Sequence, residues 1–164
     1  MWEDNGFIAD RRAHVPSAMD QLEQFIILIS AGYSNFTEDE LRAFPAPGKW
    51  SRKQLLGHLV DSAINNLKRF TDAQLAAGAY IIQSYNQEEL VLLNNYQEVP
   101  TLHLISLWQS LNRQIIYVCS SIPDTKLNHP VEPQYNKTGT KDLAWLICDY
   151  VEHMHHHLGQ MGLK

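Results

Sequence analysis

The sequence has little of what marks several functional classes. Its two cysteines, Cys119 and Cys148, have no metal-binding or redox spacing, so they fit reduced thiols of a cytoplasmic protein better than a disulfide framework. Basic residues form pairs rather than patches, and the net charge is −5, which argues against nucleic acid as a principal partner. No apolar run approaches the roughly 18 residues of a membrane span. The chain near Glu3 and Asp4 also lacks a signal-peptide pattern. We therefore expect a cytoplasmic protein without a membrane segment.

Local catalytic motifs are absent as well. A zinc-protease HExxH motif fails because Met154 stands where its glutamate would be. The sequence has no G-x-S-x-G elbow, no Ser-His-Asp pattern and no phosphate-binding loop. Any active site must therefore use residues outside these motifs.

The sequence does contain four segments with helical spacing of apolar residues and no credible strand. At 164 residues, it is most simply one domain, 1–164. Ser51 and Gln54 form a capping-box pattern at the start of the second helix, and we expect Thr140 to cap the last one. The pattern predicts an all-α four-helix bundle, with helices at 16–31, 51–77, 101–122 and from 140 onward.

The last predicted helix holds half of the eight histidines. At about 100° per residue, His157 lies within the apolar arc and His153 on its edge, while His155 and His156 point away. Two imidazoles four residues apart on a core-facing surface can form half of a metal site. A structural or solvated role for the pair remains open at this point.

His58 is the best third ligand, because it lies within the second helix and away from its outer face. It sits on a polar flank, which suggests a cleft rather than the centre of the core. By contrast, His103 falls on the outer face of the third helix and His129 in an irregular loop, so we expect neither to take part. A histidine on a helix flank is often only hydrogen-bonded, and that alternative also remains open.

Bundle geometry tests this assignment. His58 lies about 10 Å along its helix and the 153/157 pair roughly 20–26 Å along theirs. The three could meet only if the second and fourth helices are antiparallel, which requires a long crossover between the second and third helices. Residues 78–100 could span about 70 Å when extended, more than the roughly 35 Å needed. The metal hypothesis therefore predicts an unusual bundle topology.

Three motifs together resemble the DinB superfamily: 49–51 (KWS), 57–62 (GHLVDS) and the stretch from His153 through His157 to Gln160. The resemblance covers most of the chain. It implies a four-helix bundle with a long connection between the second and third helices. It also implies a divalent metal held by three histidines, which map onto His58, His153 and His157, and a structural role for Trp50.

The resemblance leaves the reaction open. Members with assigned activity are mainly transferases and isomerases that use low-molecular-weight thiols, and others are described as metal-dependent hydrolases. An enzyme acting on a small molecule is therefore expected, with thiol transfer weighed slightly above hydrolysis. The alternative is a non-catalytic metal-binding or interaction protein, in which the metal ion only holds the second and fourth helices together. Zinc or nickel suits an all-imidazole site best.

The sequence also suggests residues that could orient the histidines, and an oligomeric state. Asp61 and Glu152 are candidate hydrogen-bond acceptors for a ligating imidazole, although either could be an ordinary solvated charge. No general acid or base is assigned. The resemblance suggests a homodimer, and the outward phase of Trp145 adds a little support; packing of Trp145 under the 123–139 loop explains that position at least as well.

Overall fold

A computed structural model describes residues 11–133 and 139–163. After a 3₁₀ turn at Arg11–Ala13, the elements in chain order are α1 (His14–Tyr33), α2 (Glu38–Arg42), α3 (Arg52–Leu75), β1 (Tyr80–Ile82), α4 (Gln87–Leu93), α5 (Thr101–Ser120), α6 (Asp124–Leu127), β2 (Pro130–Pro133), β3 (Lys141–Asp142) and α7 (Leu143–Met161). The long helices α1, α3, α5 and α7 form the predicted four-helix bundle. None of the helices in these ranges is long and apolar enough to span a membrane.

Helices α3 and α7 are antiparallel. Near one end, Arg52 Nε donates to the carbonyl of Met161 at 3.1 Å, which places the start of α3 beside the end of α7. Farther along, the rings of Phe70 and Tyr150 meet with centroids 5.8 Å apart. Residue numbers therefore rise along α3 as they fall along α7, and the predicted topology is confirmed.

Helices α3 and α5 run in the same direction. Their first turns converge on Glu38 of α2, which pairs with Lys53 and accepts a hydrogen bond from Thr101 Oγ1 at 2.7 Å. Halfway along the bundle, Asn112 of α5 accepts a hydrogen bond from Tyr150 at 2.6 Å. The chain must therefore travel the length of the bundle between α3 and α5.

The connection 76–100 spans this distance and runs along α3. Arg69 Nη2 donates to the carbonyl of Gln83 at 2.6 Å, while at the other end Ser51 Oγ donates to Gln97 Oε1 at 2.8 Å. These contacts anchor the crossover to both ends of α3. Helix α4 lies within this connection.

The expectation of no strand is wrong. Strand β1 pairs in parallel with β2, and β2 pairs antiparallel with β3. Each strand has only two to four residues, which is too short for an alternating pattern to emerge. Pairing depends on the crossover meeting the chain before α7, a long-range event that local spacing does not encode.

Helix boundaries follow capping chemistry. Ser51 caps α3 and forms the predicted capping box with Gln54. The cap of α7 is Asp142 rather than Thr140, because the Asp142 carboxylate accepts from the backbone N–H of Trp145 at 2.7 Å. An ionised cap also interacts favourably with the helix dipole, and Lys141 and Asp142 are already engaged in β3.

Gly57 provides a test of the packing between the crossover and α3. A Cβ at this position would lie 2.2 Å from the ring of Tyr96, so the crossover approaches the helix at a site that only glycine allows. We expect Gly57→Ala to lower the free energy of unfolding by about 1–3 kcal/mol, because overpacking outweighs the helix preference of alanine. Urea denaturation measures the change.

Gly159→Ala is the matched control, because a Cβ there would meet nothing within 4 Å. Alanine at this position should stabilise α7 by up to about 1 kcal/mol. Equal stability changes for the two variants would contradict the close approach of Tyr96.

Candidate metal centre

The register of α7 presents two of its histidines to the bundle. His157 is buried at 8% exposure and His153 is half-buried, whereas His155 and His156 are exposed. The predicted phase of the helix is therefore confirmed. Since His153 and His157 are one turn apart, their rings lie together, with centroids separated by 4.5 Å.

Ring nitrogens of this pair point at each other. His157 Nε2 lies 3.0 Å from His153 Nε2, and His157 Nδ1 lies 2.9 Å from Gln160 Oε1. An amide oxygen can only accept, so Nδ1 of His157 carries the proton and its Nε2 presents a lone pair. Metal-ligating histidines are commonly oriented in this way by an acceptor on the other ring nitrogen.

His58 brings the third imidazole from α3. Its ring centroid lies 5.4 Å from that of His153 and 4.8 Å from that of His157. The side chain has 0% exposure, so the predicted position on a polar cleft flank is wrong. The reason is that Trp50, from the segment before α3, covers the ring at 5.0 Å between centroids.

Both ring nitrogens of His58 are buried, and neither has a hydrogen-bond partner in the described part of the chain. A buried polar atom without a partner costs roughly 1–3 kcal/mol, so its persistence calls for a ligand. One potential ligand nitrogen from each histidine lies within 4.8 Å of the others. Nitrogens that share a metal at about 2 Å sit roughly 3–4 Å apart, so small ring rotations would bring this set to bonding geometry. The residues present therefore fit a metal ion.

The surroundings keep these imidazoles neutral. Burial, together with a smaller effect of the neighbouring imidazoles, lowers the pKa of His58 to about 3 and that of His153 to about 4. Burial also lowers the pKa of His157, against the opposing effect of its hydrogen bond with Gln160. Neutral rings have lone pairs available for a metal at pH 7.

Asp61 lies one turn beyond His58 and is held by the crossover. Its Oδ1 accepts from Tyr96 Oη at 2.6 Å and from Asn94 Nδ2 at 2.8 Å. Its Oδ2 is buried, with no hydrogen-bond partner among the described residues. Glu152, the other proposed acceptor, is exposed on the outer face of α7. The structure thus places Asp61 inside the protein, one helical turn from His58, and leaves Glu152 on the surface.

Three other histidines described by the structure lie away from the cluster. His129 Nε2 lies 2.9 Å from the carbonyl of Gly78, and the ring of His155 stacks on Phe25 with centroids 6.0 Å apart. His103 is exposed on α5. None of the three joins the histidine cluster among the described residues.

Neither cysteine joins the cluster within the described ranges. Cys119 is buried in the core, and this burial raises the pKa of its thiol to about 12. A protein thiolate at the histidines is therefore not part of the observed arrangement.

Sequence reasoning missed the role of Gln160 and the anchoring of Asp61. Gln160 is three residues after His157, which is a neighbouring position on a helix, and this spacing could have identified it. Tyr96 and Asn94 had no comparable signal, because they reach Asp61 from a separate segment.

Comparison with known proteins identifies the family of this chain. Residues 21–161 match the DinB superfamily. A protein of Halalkalibacterium halodurans, named as a candidate metal-dependent hydrolase, is 27% identical over 124 residues, or 76% of this chain and 70% of that protein. A protein of Oceanobacillus iheyensis with the same description is 21% identical over 145 residues, or 88% of this chain and 82% of that protein.

Solved structures share the fold. YfiT of Bacillus subtilis, described as a probable metal-dependent hydrolase with an unusual four-helix bundle topology, matches with a TM-score of 0.81. The match covers 99% of this chain and 95% of YfiT at 18% identity. A mycothiol-dependent maleylpyruvate isomerase matches with a TM-score of 0.66 and 13% identity, over 93% of this chain and 60% of the isomerase. Since the family match spans most of the chain, this protein belongs to the DinB superfamily.

Proposed function

We propose that the protein is a metal-dependent enzyme whose divalent ion is held by His58, His153 and His157. The observation that carries this proposal is the buried imidazole of His58, whose two nitrogens lack partners in the described chain and which faces the paired Nε2 atoms of α7. An all-imidazole donor set suits zinc or nickel. The names of the sequence relatives support metal dependence.

An open coordination position favours catalysis over a structural staple. Structural zinc sites are usually closed by four protein ligands, whereas catalytic sites have three and keep a position for water or substrate. Among the described residues, no fourth histidine, cysteine, aspartate or glutamate joins the group of three. This ligand count is the reason to prefer an enzyme.

Hydrolysis of a small molecule is the first candidate reaction. A divalent ion bound in this way acts as a Lewis acid that lowers the pKa of a coordinated nucleophile. The protein's part is to hold neutral imidazoles in place: Gln160 fixes the proton of His157 on Nδ1, and Trp50 shields His58 from water. Both sequence relatives are named as candidate hydrolases, which favours water as the nucleophile.

Thiol transfer is the second candidate, supported by the structural likeness to a mycothiol-dependent isomerase. Since neither Cys119 nor Cys148 joins the histidine cluster in the described chain, the thiol would be a separate cosubstrate. A homodimer also remains a prediction. Trp145 no longer supports it, because this side chain is half-buried and lines a cavity beside Pro133.

Metal content tests the ligand set. Purified protein should bind one zinc or nickel ion per chain, and His58→Ala and His157→Ala should each lose most of this metal, as measured by plasma mass spectrometry after dialysis. His103→Ala is the control, because His103 is exposed on α5 and should leave the stoichiometry unchanged. Full metal binding by a correctly folded His58→Ala variant would remove His58 from the site.

Gln160 provides a more selective test. Gln160→Leu removes the acceptor for His157 Nδ1–H and should weaken metal affinity by roughly 10–100-fold, the usual effect of losing such a partner. Gln160→Glu keeps an acceptor at the same reach and should retain most of the affinity. Competition with a chelator measures both variants, and equal losses would show that Gln160 does not orient His157.

Activity assays decide between the two reactions. Metal-loaded protein is incubated with small esters and amides, and with electrophiles in the presence and absence of cellular thiols. We expect turnover of an ester or amide that needs no thiol and that disappears in His58→Ala. Strict dependence on an added thiol would identify the transferase, whereas a metal-saturated protein without turnover on either panel would contradict catalysis of both kinds.

A further inference from the structure

A cavity of about 300 Å³ lies beside the histidine cluster. Helices α3 and α7 form two of its walls, and the crossover around β1 forms another. His153 borders this space, so the candidate metal centre and the cavity share a side chain. A molecule bound here would lie within reach of the candidate ligands, which makes the cavity a natural place for substrate.

Arg69 supplies a fixed positive charge to this cavity. Its Nη2 donates to the carbonyl of Gln83 at 2.6 Å, and its Nη1 donates to Asn66 Oδ1 at 3.3 Å. The guanidinium also lies 5.5 Å from the ring centroid of Tyr85. These contacts hold the group in one place, and among the described residues they use two of its five N–H donors.

No carboxylate neutralises this arginine in an ion pair among the described residues. A half-buried guanidinium held by neutral groups retains its full charge and its ability to bind a carboxylate through two parallel hydrogen bonds. Asp149 borders the same cavity and its charge interacts with that of Arg69, but the two side chains form no ion pair. The guanidinium is therefore positioned by neutral hydrogen-bond partners and remains able to bind a carboxylate from outside the chain.

The other walls indicate what accompanies the anion. Trp145, Leu146 and Ile82 provide an apolar surface in the same cavity. A ligand with a carboxylate on Arg69 and an apolar segment against these side chains would extend toward His153. The polar and apolar walls therefore indicate both the class of ligand and its orientation in the cavity.

We propose that this cavity is the substrate-binding site and that Arg69 anchors the carboxylate of a small substrate with an apolar body. This inference rests on the proposed function for the reactive end of the ligand, which would face His153. The carboxylate anchor itself depends only on the cavity and on Arg69. Arg69 is a binding residue in this account and takes no part in the chemical step.

Replacing Asp149 should change carboxylate affinity in the opposite direction to replacing Arg69. Asp149 borders the same cavity, close enough to Arg69 for the two charges to interact. A carboxylate ligand would experience repulsion from this side chain. Asp149→Asn should therefore strengthen binding of the carboxylate and leave binding of a neutral analogue nearly unchanged.

The experiment compares 3-phenylpropanoate with its neutral analogue 3-phenylpropanamide by isothermal titration calorimetry. Zinc-loaded and metal-free samples of each protein are titrated, and zinc content is measured on the same samples. We expect the carboxylate to bind wild-type protein about tenfold or more tightly than the amide, in the range of a charge-assisted bidentate contact. Arg69→Met should abolish this preference, and Arg69→Lys should retain part of it.

Arg113→Met is the matched control, because Arg113 is exposed on α5 and does not border the cavity. This variant should keep the full preference for the carboxylate. Equal affinity for the two ligands in wild-type protein, or no measurable binding of the carboxylate, would overturn the proposal without requiring any variant to fold. A preference that survives in Arg69→Met would assign the carboxylate to the metal and would also overturn it.

The two proposals can fail separately. An Arg69-dependent preference in protein that binds no zinc would contradict the metal centre and support the carboxylate site. Stoichiometric zinc without an Arg69-dependent preference would support the metal centre and contradict the carboxylate site.

Discussion

The antiparallel packing of α3 against α7 is the constraint on which the candidate site depends. His58 lies two turns into α3, and the histidines of α7 lie in its last turns. Only opposite helix directions bring these levels together. The crossover 76–100 makes that arrangement possible, and the approach of Tyr96 to Gly57 and the hydrogen bonds to Asp61 fasten it to α3. The geometry of the candidate site therefore depends directly on the topology of the bundle.

Burial of three imidazoles is unfavourable unless their nitrogens find partners. Gln160 satisfies one nitrogen of His157, and His153 and His157 share another contact, but His58 has none in the described chain. A core built only for stability would place an apolar side chain at that position. A neutral, covered imidazole at that position indicates a role in ligand binding, and a bound metal ion would offset the cost of burying it.

Much of this arrangement follows from local sequence patterns. Helical phase separates His157 from His155 and His156, and axial distances along two helices are enough to predict their relative direction. The depth of His58 was not predictable in the same way, because Trp50 covers it from outside the helix. The small sheet, the cap at Asp142 and the anchoring of Asp61 likewise depend on contacts between distant segments. Arg69 illustrates the same limit: it lies 11 residues after His58 in the chain, and only the folded crossover reveals the cavity that joins it to His153.

X-ray absorption spectroscopy of the metal-loaded protein tests the central claim most directly. The account predicts one zinc or nickel ion with three imidazole nitrogens at about 2.0–2.1 Å and at least one further ligand of solvent origin. His58→Ala protein should show a loss of imidazole scattering from the remaining bound metal. A spectrum with a fourth protein ligand would contradict an open catalytic site, and a spectrum without three imidazoles would contradict the site itself.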